Sequence, residues 1–134
     1  TMVTDSSAPF FVDHIYERDI TINKVFLWAD SIQSNGNTIN KVWSFAIALS
    51  AWHSGIPLYV VWSLLKLDIS GEIWIETRDG KELRSDAPEG LKILNYAFDM
   101  IPAKCITGII TEFWIIRPEN LLKEAKKRYP WMLE

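Results

Sequence analysis

Nucleophilic or soft-metal chemistry in this chain would have to come from His14, His53 and Cys105. They lie far apart and form no CxxC or HExxH spacing. They therefore offer neither paired metal ligands nor a nucleophile beside its base. Each is expected to be structural. His53 falls in the last turn of a predicted helix, where the dipole favours a donor. Cys105 opens an apolar run as a small core residue. Glu72 and Glu76 share one face of a predicted strand with Trp74 between them. Two carboxylates and a ring suit sugar binding or acid–base work, although such a face is more often simply solvated. Ser34-Asn35-Gly36-Asn37 lacks the GxxxxGK[ST] pattern of a phosphate loop. No catalytic motif emerges, and no cofactor or metal is expected.

A second set of residues points to surfaces. Lys123, Lys126 and Lys127 recur at i, i+3 and i+4 on one helix face, with Arg128 following. Tyr129 and Trp131 come next, and cations beside aromatics suit an anionic membrane surface. The plainer account is a last helical turn whose cations match its dipole. Phe10-Phe11, beside the polar residues 1–9, either insert into lipid or a partner groove or pack on the core. The candidate membrane- or partner-binding residues are thus Phe10, Phe11, Lys123, Lys126, Lys127, Arg128 and Trp131. Seven tryptophans favour an interaction protein over an enzyme, because large aromatics bury much area at interfaces.

These residues need a scaffold. The 134 residues suit one domain able to bury a core. The division expected is a flexible tail over 1–9 and a globular domain over 10–134. A net charge of −3 gives no reason to expect nucleic-acid binding by the whole surface. One cysteine excludes an internal disulfide framework. The stretch from Val42 to Leu65 carries no formal charge. Its serines, His53 and the Gly55-x-Pro57 break argue against a membrane span. It reads instead as a mostly buried helix, capped by Asn37 or Thr38, feeding a central strand from Leu58, with a second helix through Leu65 as the alternative. Val25–Ile32 reads as a strand. Glu72–Arg78 and Lys81–Ser85 read as a hairpin about Asp79-Gly80. Pro88 opens a predicted helix with Leu91, Leu94, Phe98 and Ile101 as its buried stripe. Cys105–Ile116 reads as a long strand or bent pair with Gly108 at the bend, and Pro118–Tyr129 as a last helix. The sum is an α+β domain with an antiparallel or mixed sheet of four to six strands and three helices.

The run from Ser31 to Leu67 resembles the centre of rhabdovirus matrix proteins, most nearly the vesiculovirus type. The matching positions are Ser34-Asn35, Ser50, Trp52, His53, Gly55, Pro57 and Tyr59. A second patch, Ser70–Gly80, is similar to that family's strand ending in an acidic turn. The family's basic N-terminal tail has no counterpart here, nor does its long excursion after the post-helix strand. The resemblance implies a non-enzymatic viral structural protein that self-associates and bridges an anionic membrane and the nucleocapsid protein during assembly and budding. Its expected locations are the virion, the host cytoplasm, the inner face of host membranes and the nucleus, without sequence-specific nucleic-acid contact. The alternative is a small cytoplasmic protein-binding module of inhibitor or immunity type. A third reading is a small hydrolase or sugar-binding enzyme using Glu72 and Glu76.

Overall fold

The computed structural model describes residues 1–13, 20–73 and 75–133. In chain order the helices are α1 (Ala8–Val12), α2 (Ser44–His53) and α3 (Leu121–Arg128). The strands are β1 (Val25–Trp28), β2 (Ser31–Gln33), β3 (Thr38–Lys41), β4 (Leu58–Val61), β5 (Leu67–Asp68), β6 (Thr77–Arg78), β7 (Asn95–Tyr96), β8 (Phe98–Ile101), β9 (Gly108–Ile110) and β10 (Ile115–Ile116). One sheet has the order β1-β4-β9-β10, a second β5-β2-β3-β8, and β6-β7 form a separate ribbon. Among the described residues the architecture is α+β with mixed four-stranded sheets and three α-helices, as expected.

The first sheet frames everything else. β1, β4 and β9 run parallel, with Val25 beside Leu58, Val60 beside Ile109, and β10 returning antiparallel. Their sequences VFLW, LYVV and GII are apolar throughout, the signature of parallel strands. One face carries Val25, Leu58, Val60, Ile109 and Ile116, all buried in the core. The opposite face carries Phe26 and Trp28 beside Tyr59 and Val61, and Trp28 is 73% exposed. Phe26 stacks on Tyr59 with ring centroids 5.7 Å apart.

The chain crosses from β1 to β4 through β2, β3 and α2. Gly36 turns β2 into β3 with φ +83°, and a Cβ there would lie 2.6 Å from the Pro118 Cβ. Only glycine fits both demands. Thr38 belongs to β3 and is fully buried, so the expected cap at Asn37 or Thr38 is not formed. The Asn37 side-chain carbonyl instead accepts the Ala103 N–H at 3.0 Å. α2 starts six residues past Thr38, after Trp43 in a left-handed conformation (φ +85°). Its cap comes from another strand, because the Asp99 carboxylate of β8 accepts the Phe45 N–H with each oxygen at 3.1 Å. α2 is also less buried than expected. Only Ser44, Ala48 and Ala51 are buried, while Phe45, Leu49 and Trp52 face outward.

Other expectations are corrected here. Asp30 divides Val25–Ile32 into β1 and β2, which belong to different sheets. The Asp79-Gly80 hairpin does not form. The Asp79 side chain accepts the Lys81 N–H at 2.9 Å and starts a 3-10 turn at Gly80–Glu82. Short aspartates compete for backbone donors in this way. β6 then pairs with β7 instead. The helix expected from Pro88 is absent, and Leu91 and Leu94 are exposed. Its second half is β8, drawn into a four-residue antiparallel ladder with β3. Tertiary pairing here overrides local helical spacing. β9 and β10 form a bent pair. Its bend lies at 111–114, while Gly108 sits in β9, where a Cβ would meet the Ile115 side chain at 2.5 Å. Asp5–Ser7 forms a 3-10 turn that leads into α1. No helix among the described residues is long and apolar enough to cross a membrane.

Candidate functional site

Ligands of parallel α/β sheets bind beyond the carboxyl ends of the strands, where backbone groups and loops converge. In this chain those ends are Trp28, Val61 and Ile110. A hollow of about 470 Å³ lies there, lined by Trp28, Ala29, Val61, Trp62, Ser63, Lys66, Ile110, Thr111 and Glu112. Its wall is largely aromatic and aliphatic with Ser63, Thr111 and Glu112 among it, and Lys66 is its only cation among the described residues. The Lys66 ammonium lies 5.0 Å from the Trp62 ring centroid, a cation–π distance.

Asp30 lies two residues beyond β1, next in the chain to Ala29 of this hollow's lining. Its N–H donates to the Ile39 carbonyl at 2.9 Å, which fixes the backbone. Its carboxylate is exposed and makes no hydrogen bond or ion pair among the described residues. It faces a smaller hollow of about 230 Å³ that Ser31, Ile39, Asp68, Glu72 and Phe98 also line. The Lys41 ammonium lies 5.4 Å from the Phe98 ring centroid.

Glu112 is the other carboxylate at the carboxyl ends, and it is fully engaged. It accepts the Leu64 N–H at 2.9 Å, the Tyr129 hydroxyl at 3.1 Å and the Ser63 hydroxyl at 3.4 Å. Burial pushes its pKa up. The backbone N–H groups of Glu112 and Leu64 and the two hydroxyls outweigh that, holding it below the usual carboxylate range. Tyr129 is pushed up by desolvation and then by the Glu112 carboxylate.

The residues singled out from sequence do not assemble into this site. His53 is exposed in the last turn of α2, and Cys105 is buried with its thiol pKa raised by burial. His14 and Trp74 lie outside the described residues. Glu72 reaches the smaller hollow, whereas Glu76 does not line it, so they form no catalytic pair there. Phe10 and Phe11 meet edge to face at 5.5 Å in α1. Lys123, Lys126 and Lys127 are exposed on α3. Arg128 turns away from them onto Trp114 and Phe113, 4.1 and 4.7 Å from their ring centroids. Trp131 is exposed and contacts the Tyr129 ring. Among the described residues no three of His, Cys, Asp and Glu come together as a metal site. Sequence reasoning passed over Asp30, Lys66 and Glu112. The available signal was a carboxylate that interrupts the apolar run VFLWA.

A mixed sheet with a cleft across the carboxyl ends of three parallel strands is the frame of a small-molecule site. The comparisons with known proteins agree with that frame. The model of the initiation factor 2 subunit family matches residues 1–118, and the chain belongs to that family. It is 34% identical, over 96% of its length, to methylthioribose-1-phosphate isomerase of Gloeobacter violaceus, covering 38% of that protein. It is 39% identical, over 94% of its length, to 5-deoxyribose 1-phosphate isomerase of Moorella thermoacetica, covering 37% of it. The crystal structure of 5-methylthioribose 1-phosphate isomerase from Pyrococcus horikoshii superimposes with a TM-score of 0.77 at 27% identity, over 93% of this chain and 36% of that one. The chain thus spans little more than a third of the length of these relatives.

These findings overturn the matrix-protein resemblance, which rested on residues that any helix-to-strand joint of this packing can carry. The non-enzymatic assignment falls with it, since the relatives are named isomerases. So do the nucleocapsid and membrane partners, the budding role and the virion and host-membrane locations. The inhibitor or immunity-type module has no support among them either.

Proposed function

We propose that this chain supplies the sheet-end cleft of an isomerase acting on a phosphorylated five-carbon sugar. The observation that carries this reading is Asp30, a carboxylate without a hydrogen-bond or ion-pair partner among the described residues, which lines the hollow of about 230 Å³ just past the carboxyl end of β1. Converting an aldose phosphate to its ketose moves hydrogen between neighbouring carbons and changes no atom count. The step needs a group that takes a proton and returns one, and an unengaged carboxylate can do both. The names of the relatives denote sugars without a hydroxyl at C5, and Trp28, Val61, Trp62 and Ile110 offer such a carbon an apolar wall. A methylthio group gains further from sulfur–ring contact.

The test is turnover of methylthioribose 1-phosphate and 5-deoxyribose 1-phosphate by the wild type and by Asp30→Asn. The variant is expected to lose about 10²- to 10⁴-fold in rate, the usual share of a general acid–base group, with its circular dichroism unchanged. Unaltered turnover in the variant would remove Asp30 from the chemistry. A wild type that turns over neither sugar would sink the isomerase reading. It would favour a second one, an assembly subunit without turnover, to which the outward apolar stripe Phe45, Leu49 and Trp52 of α2 lends weight.

A further inference from the structure

The outer face of the first sheet is apolar from edge to edge. By strand alternation it carries Phe26 and Trp28 of β1, Tyr59 and Val61 of β4, Ile110 of β9 and Ile115 of β10. No charged side chain interrupts it within the four strands. Phe26 and Ile115 are each 56% exposed. Gly108 belongs to the same face, where a Cβ would meet the Ile115 Cγ2 at 2.5 Å and the Tyr59 Cδ1 at 3.5 Å. The Tyr59 ring and the Ile115 side chain therefore close over bare backbone into one continuous surface. All three helices serve the opposite face. Val12 of α1, Ala48 of α2 and Leu121 of α3 share one core cluster with Leu58 and Ile109. Parallel strands are joined by helical crossovers, so parallel sheets occur with both faces covered. An open apolar face that crosses a whole sheet marks a contact surface. β1 is also an edge, hydrogen-bonded to β4 alone among the described strands, and its other side is open to a further strand.

We propose that this face is an interior surface, covered by the polypeptide that the relatives carry outside the matched region. Two amphipathic helices lie on it, since strands stand about 4.8 Å apart and a helix is about 10 Å across. They run antiparallel to β1, β4 and β9, and a charge match fixes that direction. Lys24 just before β1 and Arg117 just after β10 are exposed. β10 runs against its neighbours, so both cations stand at the amino ends of the parallel strands. A helix that crosses back over a parallel strand ends there, and its carboxyl terminus favours cations. The Pyrococcus horikoshii structure is matched over 36% of its chain, so nearly two thirds of that chain remains for the role. A second copy of this chain fits less well, because it would stack a sheet where crossovers between parallel strands call for helices. The inference needs only the fold and stands apart from the isomerase reading.

The test is co-expression of the tagged chain with the Moorella thermoacetica isomerase from which the matched 37% has been removed. The two should co-purify in equal amounts. Phe26→Glu and Ile115→Glu should each lower the yield of complex about tenfold or more, as a charge does at the centre of an apolar contact. Phe26→Ser is gentler on the fold and should lower it several-fold, with circular dichroism of each variant recorded on the chain alone. Leu49→Glu, on the outward stripe of α2, should co-purify as the wild type does. The chain alone should bind the dye anilinonaphthalene sulfonate, and the complex several-fold less. No complex with the wild type would overturn the proposal. So would a yield indifferent to the changes at Phe26 and Ile115, or an equal loss in Leu49→Glu. A discrete dimer of the chain alone that Phe26→Glu disperses in sedimentation velocity would overturn it too, since a second copy would then be the occupant.

Discussion

Among the described residues Trp43 is the one non-glycine residue with a left-handed backbone. A left-handed backbone costs a side chain with a Cβ about 1–2 kcal/mol, and Trp43 adopts it with its ring 45% exposed. Little packing offsets that cost. The position exists because β3 ends and α2 begins within two residues, so the chain must turn sharply before the Asp99 carboxylate can cap the helix. Trp43→Gly should therefore raise stability by about 1 kcal/mol, read as a higher denaturant midpoint at constant slope. A lower midpoint would show that the indole contributes more than its exposure implies. The residues of the candidate site were only faintly legible from sequence. Asp30 could be noticed as a charge inside an apolar run. Glu112 and Lys66 could not be joined, because their link is a hydrogen-bond path across 48 residues of chain. Spacing rules reach only neighbours along one element.

Elements were legible wherever their own side chains decide them. α2, α3, β4 and the β9–β10 pair follow from periodicity, Gly55 and Pro57, and Pro118 at the start of a turn. The failures cluster between 69 and 101. There the strands are two to four residues long, and partners distant in sequence determine them, as β8 does by pairing with β3. A short strand gains its hydrogen bonds only from its neighbour, so its own sequence hardly announces it. α2 offers a check at this scale. Its stripe Phe45, Leu49 and Trp52 faces away from the core, whereas Ala48 and Ala51 are fully buried. Leu49→Lys should change stability by less than about 0.5 kcal/mol, while Ala48→Leu should overpack the helix against the sheet and cost about 1–3 kcal/mol. Equal effects in thermal melts would mean that the stripe is covered in solution.

Across the whole molecule, two carboxylates tilt the acid response in opposite senses. Glu112 titrates below its ordinary value of 4.5 when folded. It adds stability above that pH, and this is lost as pH falls through its folded value. Asp99 titrates above its ordinary 3.8, because burial outweighs the Phe45 and Trp43 backbone bonds. Ionising it costs the folded state, so its contribution is present below 3.8 and lost as pH rises through its folded value. Glu112→Gln should flatten the fall in stability below pH 4.5, and Asp99→Asn should steepen it. Denaturant titrations at several pH values would show both, and parallel curves for the two variants would contradict the assignment.

The lone thiol has a use of another kind. Cys105 is 5% exposed in the core beneath the parallel strands, at the end of the sheet opposite the cleft. Its small exposure slows a thiol reagent, and burial raises its pKa and so favours the unreactive protonated form. Its labelling rate is therefore a clock for the opening of the core, and it keeps time without any label having to be engineered in. If a ligand at the far end of the sheet slows that clock, the slowing measures how firmly the two ends are joined.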